Sequence, residues 1–184
     1  ETTSQIYNNE KCAYMYIWVF GIGTKLYYGR TWEQFGEFMQ MLINQLEINL
    51  YNRLIIYVHN LGYEFQFFRK FFEWENVFSV DDRKPIKALI KQGIEFKDSY
   101  ILSGFSLSNL AKNLTKHKIK KLTGDLDYSL IRNSKTKMTD LELEYCKNDV
   151  LIILYYINEQ IQLYDNNITK IPLTNTGRVR KFVK

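Results

Sequence analysis

Arg53-Leu54-Ile55-Ile56-Tyr57-Val58-His59-Asn60-Leu61-Gly62-Tyr63-Glu64 is the stretch on which the fold of this chain turns. Its apolar run has the length of one strand, and an unbroken run of that kind suits an interior strand covered on both faces. Residues 53–59 are therefore read as a short buried strand. Phe67, Phe68, Phe71 and Phe72 follow at helical spacing, so a helix is expected from about Tyr63. This puts the Glu64 carboxylate just past a strand end, at the start of a helix. Ligands in α/β folds commonly bind there, although the helix dipole alone also favours an acid at that place. Asn60 suits holding a nucleotide or a water, or simply ending the strand in a turn. His59 belongs to no metal-ligand spacing.

Upstream, residues 15–23 read as a strand, residues 25–29 as a shorter one, and Glu1 to Thr3 as the end of a preceding strand, together a β-meander. Thr31-Trp32-Glu33-Gln34 has capping-box spacing, and Phe35, Phe38, Met39, Leu42, Ile43 and Leu46 carry a helix on to about Leu50. Downstream, residues 77–80 and 86–90 read as strands, with a further strand ending at Phe96-Lys97-Asp98-Ser99. Residues 107–114 read as a short helix, and residues 116–121 are a basic stretch with five Lys or His side chains. Residues 123–137 read as an irregular loop. A second capping box, Thr139-Asp140-Leu141-Glu142, opens a long helix with Cys146, Val150, Ile153, Leu154, Ile157 and Ile161 on one face. Strands and helices alternating in this order predict an α/β domain around a mixed central sheet flanked by helices.

The 184 residues suffice for one domain with its own core. Fourteen Tyr, twelve Phe and only two Pro and nine Gly argue against a long disordered linker. A net charge of +5 is compatible with a phosphate-bearing partner, and equally with a plain excess of lysine. Cys12 and Cys146 have neither zinc-site nor disulfide-framework spacing, so a reducing, cytoplasmic setting is expected. No apolar run is long enough to span a bilayer, no signal peptide is evident, and no membrane partner is expected. Glu1 in the place of an initiator Met reads as the start of a fragment, a processed chain or a trimmed one.

Tyr145 and Asp149 stand four apart on the long helix and share a face. One suits binding a metal while the other orients a water; the plain alternative for Tyr145 is packing. Asp149 adjoins the core position Val150, where a carboxylate is costly unless paired or metal-bound. Tyr63, Phe67 and Tyr128 suit stacking on unpaired bases, or packing in a core.

Taken together, Glu1-Thr2-Thr3, His59 to Glu64 and Tyr145-Cys146-Lys147-Asn148-Asp149 resemble the three motifs of the 3′–5′ exonuclease (proofreading) domain of family B DNA polymerases, most closely the protein-primed branch of phages and linear plasmids. Asp98-Ser99 and Gly124-Asp125-Leu126-Asp127-Tyr128 resemble two further segments of that family, and the match runs in consistent order from Glu1 to about Tyr164. The resemblance implies a ribonuclease H-like exonuclease fold with two Mg²⁺ or Mn²⁺ ions. Glu1, Glu64 and Asp149 would be metal ligands, and Tyr145 would orient water. Thr2, His59, Asn60, Leu61, Tyr63, Phe67, Ser99 and Tyr128 would line the path of a single-stranded DNA 3′ end. The implied reaction is in-line attack of an activated water on the terminal phosphodiester, releasing a nucleoside monophosphate. Implied partners are the rest of a polymerase chain and a terminal priming protein, and the implied place is the cytoplasm of a host cell. The chain departs from the pattern at three points. The first-motif Asp of the family would stand two residues before Glu1. Glu64 stands where better-known members have Asp, and Thr123 where a family lysine contacts substrate, with Lys120 and Lys121 close by. Residues 1–165 are accordingly expected to be the exonuclease domain, with its first motif truncated. Residues 166–184, with Arg178-Val179-Arg180-Lys181, would be a basic connector toward a polymerase domain, since no polymerase motif is present. Two alternatives stay open: a stand-alone ribonuclease H-like exonuclease, and a non-catalytic single-strand or protein-binding module of the same fold.

Overall fold

Two asparagines make the first turn. Strand β1 (Thr2–Tyr7) pairs antiparallel with β2 (Glu10–Met15), in register from Thr2 opposite Met15 to Tyr7 opposite Glu10. Asn8 and Asn9 between them take φ of 50° and 62°, the left-handed conformation that a two-residue hairpin turn requires and asparagine tolerates. A second hairpin follows from β3 (Trp18–Ile22) and β4 (Lys25–Gly29). Helix α1 (Trp32–Gln45) is then capped by Thr31, whose Oγ1 accepts from Gln34 N at 3.2 Å, while Gln34 Oε1 accepts from Arg30 N at 2.7 Å. The remaining elements are β5 (Leu54–Val58), α2 (Leu61–Phe68), β6 (Trp74–Asp81), β7 (Lys84–Ile90), β8 (Ile94–Asp98), α3 (Ser99–Ser103), α4 (Leu107–Lys112), α5 (Asp140–Leu163), a 3₁₀ turn Ile168–Lys170, and α6 (Asn175–Phe182). The computed structural model describes residues 1–122, 127 and 129–183, with Phe182 described by its backbone only.

The chain divides into two units. The first comprises Glu1–Met41 and Leu122–Leu151, and the second Leu42–Lys121 and Ile152–Lys184. In the first, the two hairpins are separate two-stranded sheets, so the expected meander is not formed. The single strand expected over residues 15–23 is interrupted at Tyr16 and Ile17, which are 2% and 0% exposed and whose side chains pack with Tyr145 and Cys146. β1 also begins at Thr2 rather than ending there. Trp18, Phe20 and Tyr27 stack against Phe35 and Phe38 of α1, with ring centroids 5.2–5.6 Å apart.

In the second unit a four-stranded sheet runs β5-β8-β7-β6, with β5 parallel to β8 and the other neighbours antiparallel. The predicted α/β architecture with a mixed sheet is thus observed. β5 was expected in the interior, yet it is an edge strand with every residue only half-buried. Of the two interior strands, β8 is buried along its whole length although three of its five residues are charged. Pairing makes this tolerable: Lys97 Nζ lies 3.1 Å from Glu95 Oε1, and Arg53 lies 3.1 Å from Glu95 Oε2. On the other sheet face Phe65, Phe68, Phe72, Trp74 and Phe96 form one aromatic cluster under α2. α2 stops at Phe68, short of the expected Phe72, because Phe71 and Phe72 turn the chain toward β6. The turn into β8 needs Gly93, at φ +97°, where a Cβ would stand 2.2 Å from Asn49 O.

A second cluster of this unit gathers Leu102, Leu110, Leu114, Ile152, Tyr156 and Ile171. On α5 the most buried positions are Tyr145, Cys146, Ile152, Tyr156, Ile157 and Gln160, and Tyr164 just past its end is buried too. The buried stripe is therefore rotated from the expected one, of which Val150, Ile153, Leu154 and Ile161 are only half-buried. Residues 166–184, expected as a connector, hold the 3₁₀ turn, the buried Ile171 and α6, which Thr174 caps through Gly177 N at 3.0 Å.

Candidate functional site

The residues singled out in the sequence fall into two groups, one in each unit. In the second unit, β5 and β8 end side by side, Val58 in register with Asp98. Both chains turn into helices there, and one buried carboxylate serves both. Asp98 Oδ1 accepts from Tyr100 N at 2.7 Å and Ile101 N at 3.0 Å, capping α3. Its Oδ2 accepts from Leu61 N at 2.9 Å, the first residue of α2. Burial raises the Asp98 pKa, and the backbone N–H donors, which favour the carboxylate, do not fully offset it.

Because Asp98 supplies the cap, Asn60 does not have to. Asn60 is exposed at φ 68°, makes no side-chain capping bond, and leaves its amide at the head of α2. His59 Nδ1 lies 3.1 Å from Ser99 Oγ, and Ser99 Oγ donates to Val58 O at 3.2 Å. With the hydroxyl proton donated to Val58 O, which can only accept, Nδ1 carries the proton shared with Ser99. Burial first, and the Lys121 ammonium second, push the His59 pKa down to about 4. The ring is thus neutral near pH 7, with Nε2 as a hydrogen-bond acceptor, and it meets Tyr100 edge-on at 5.5 Å. Glu64 is half-buried in the first turn of α2. Tyr63, 45% exposed, pairs edge-on with Phe67 at 5.2 Å and presents an aromatic surface beside Glu64. Two expected lining residues are placed otherwise. Leu61 and Ser99 are each 0% exposed, so Leu61 packs in the core and Ser99 acts by holding His59.

In the first unit, Glu1 prolongs the β1–β2 ladder: Tyr16 N donates to Glu1 O at 3.1 Å, and Glu1 N donates to Ile17 O at 2.7 Å. Thr2 is half-buried, and Thr3 is buried with its Oγ1 accepting from Arg132 N at 3.3 Å. Tyr145 is buried beside Tyr16, Ile17 and Cys146. The Cys146 thiol reports on its surroundings. Burial raises its pKa to about 11, and the carboxylates of Glu1, Asp149 and Glu142 add to the rise. Glu1 also raises the pKa of Tyr16, after burial. The Glu1 and Asp149 carboxylates therefore act on one buried thiol, which brings the first and third motifs into one neighbourhood.

Arg132, in the loop read as irregular, was not foreseen. It is 4% exposed, donates to Asp127 O at 2.7 Å and Leu130 O at 3.2 Å, and forms a 2.6 Å ion pair with Glu142. Glu142 Oε2 in turn accepts from Thr139 N at 2.8 Å, which completes the predicted capping box. One arginine thus ties the loop to the head of α5. Tyr128, Thr123 and the Gly124-Asp125-Leu126 segment lie outside the described residues.

Among the described residues, neither unit by itself gathers three or more His, Cys, Asp or Glu side chains into a metal-binding group. The expected ligands divide as Glu1 and Asp149 in the first unit and Glu64 in the second. All three donors are carboxylate oxygens, which suit hard ions such as Mg²⁺ or Mn²⁺ and not a soft metal. No helix among the described residues is long and apolar enough to cross a membrane.

No protein-family model and no curated protein matches the chain. Solved structures of phi29 DNA polymerase do match its fold. The complex with primer-template DNA and incoming nucleotide substrates aligns with a TM-score of 0.67 at 21% identity, over 89% of this chain and 30% of the polymerase chain. The complex with single-stranded DNA aligns with a TM-score of 0.65 at 20% identity, over 95% and 31%. An orthorhombic crystal form aligns with a TM-score of 0.66 at 21% identity, over 91% and 31%. At this identity the common property is the fold, and this chain spans less than a third of the polymerase chains it matches.

Proposed function

We propose that this chain is the 3′–5′ exonuclease part of a protein-primed, family B-like DNA polymerase, with a ribonuclease H-like fold, acting on the 3′ end of single-stranded DNA. The observation that carries the reading is the fold likeness to phi29 DNA polymerase over nearly the whole of this chain. The order of the three motifs, and their positions at strand ends and on α5, agree with it. In this reading Glu1, Glu64 and Asp149 would supply the carboxylates for two Mg²⁺ or Mn²⁺ ions, which when bound would neutralise phosphate charge and acidify a water.

The chain's own residues do the rest. Tyr145, fixed by packing against Tyr16 and Ile17, orients the attacking water. Neutral His59 accepts a hydrogen bond from the terminal nucleotide at Nε2, and its ring is held by Ser99. Asn60, uncommitted to capping, hydrogen-bonds the same nucleotide. Tyr63 and Phe67 offer faces on which bases stack, an interaction that is tolerant of sequence. The family resemblance adds Thr2 and Tyr128 to the residues that would contact the strand. A terminal priming protein and the remainder of a polymerase are the partners this reading adds.

The test is hydrolysis of 3′-labelled single-stranded DNA in Mn²⁺ and in EDTA, by this chain and by the chain extended at its N-terminus, each beside Asp149→Ala. Metal-dependent loss of the 3′ nucleotide that falls at least ~100-fold in the variant supports the reading. Binding without cleavage by either form refutes it in favour of a non-catalytic module.

A further inference from the structure

In the second unit, residues 116–121 lie along α5 outside any helix or strand, bending at Lys116, and their exposure alternates as in an extended chain: Lys116, Lys118 and Lys120 are exposed, and His117, Ile119 and Lys121 are half-buried. The inward side is anchored at several points. Ile119 packs against the cluster of Leu102, Ile152 and Tyr156. His117 stacks flat on Tyr155 of α5, 4.0 Å between centroids and 7° from parallel. Glu159, one turn further along α5, accepts from the backbone N of Thr115, Lys116 and His117 at 3.1, 2.8 and 3.4 Å, and from Thr115 Oγ1 at 2.9 Å. Burial works to raise the Glu159 pKa, yet these donors hold it below the usual carboxylate range. The Lys116 ammonium also donates to Gln162. A basic segment that only solvated itself would need no such fixing. Here a carboxylate is spent on holding the backbone of the segment and leaves the charges of Lys118 and Lys120 facing solvent.

Alternate residues of an extended chain lie ~6.6 Å apart, and a stacked nucleic-acid strand advances ~3.4 Å per phosphate. The outward lysines thus match about every second phosphate. The row also has a direction. Lys121, the half-buried residue that follows its last member, is close enough to His59 to lower the imidazole pKa. We infer that Lys116, Lys118 and Lys120 form a fixed cationic rail for the phosphate backbone of single-stranded nucleic acid, leading the strand to the His59–Asn60 end of β5. This rests on the reading of the chain as one that handles a single strand, and adds how the strand is held away from the terminal nucleotide.

Anisotropy of labelled oligo(dT) of roughly ten nucleotides, more than the rail covers, tests it in EDTA across ~50–200 mM salt. The variants are Lys116→Gln/Lys118→Gln/Lys120→Gln, and as a charge-matched control Lys70→Gln/Lys84→Gln/Lys91→Gln on the same unit, each checked by circular dichroism for wild-type folding. Loss of three phosphate contacts lowers the slope of log K against log salt by ~2, at ~0.7 per contact, and the control leaves it unchanged. An unchanged slope in the rail variant, an equal drop in both variants, or no binding by the wild type overturns the inference. Hydrolysis is not read in this experiment. The rail can therefore fail while metal-dependent cleavage stands, and cleavage can fail while the rail stands.

Discussion

Asp98→Asn separates the two duties of one carboxylate. Asparagine keeps one oxygen, and it is itself a good helix cap, so Tyr100 N and Ile101 N retain their acceptor. The other oxygen becomes an NH₂ facing Leu61 N, and two donors then meet where a 2.9 Å hydrogen bond stood. That bond is buried, and leaving a buried donor unsatisfied costs ~1–3 kcal/mol. Asp98→Ala removes both caps and costs ~3–4 kcal/mol. Amide hydrogen exchange reads the difference residue by residue. In Asp98→Asn the Leu61 amide exchanges ~5–150-fold faster, whereas Tyr100 and Ile101 keep their protection. In Asp98→Ala all three accelerate. Unchanged exchange at Leu61 in the asparagine variant would refute the double cap. Equal acceleration at all three amides would show that Asp98 acts through its charge, not through two separately committed oxygens. Since the turn from His59 to Glu64 hangs on this bond, Asp98→Asn should also weaken oligonucleotide binding.

His59 sets a pH dependence. Its folded pKa, near 4, lies below the ordinary 6.5, so the unfolded chain takes up the proton first. The contribution of the neutral ring is full above pH 6.5 and is lost as the pH falls toward 4, amounting to ~3 kcal/mol at most. Urea unfolding of wild type and His59→Gln from pH 7 to 4 should converge as the pH falls, and parallel curves would count against a buried neutral ring. Nitrogen NMR of the same ring should show the proton on Nδ1 at pH 6. Arg132→Ala leaves Glu142 without its ion-pair partner and the loop carbonyls of Asp127 and Leu130 without their donor. It should destabilise the first unit by ~3 kcal/mol, visible as faster exchange at Thr139 and Glu142. A loss below ~0.5 kcal/mol, the size of an exposed surface pair, would contradict the buried pairing.

Local signals were well written in the sequence. Both Thr caps form, because a Thr hydroxyl needs only its own turn; the box closes fully at Thr139–Glu142, while Gln34 reaches back one residue further, to Arg30 N. Residues 54–58 were rightly read as a strand, but their depth was not legible. Apolar runs report what a strand can bury, not where it lies in the sheet, and charged β8 took the interior because Arg53 and Lys97 neutralise Glu95. The long helix is clear in the sequence while its buried face is not, since Tyr145 and Tyr156 count as ambiguous in any hydrophobic pattern. The break at Tyr16-Ile17 had no local mark. At the candidate site, Glu64 and Asn60 at a strand–helix junction were visible from periodicity alone. Asp98 as the cap of α2 was not, because its partner Leu61 is 37 residues away. The Arg132 side chain has its hydrogen-bond partners within ten residues, but in a loop whose conformation no periodicity marks.

The environment of Cys146 has a practical side. A thiol held at about 11 is ionised to about one part in ten thousand at neutral pH, and its side chain is almost wholly enclosed. Cys12 on β2 is exposed. Maleimide chemistry thus discriminates between them without mutagenesis. A single dye or spin label goes onto the outer hairpin, and the carboxylates of Glu1 and Asp149 keep an unmodified neighbour. The native sequence carries its own address for single-site attachment, on the strand that pairs with β1, where Cys12 stands opposite Gln5.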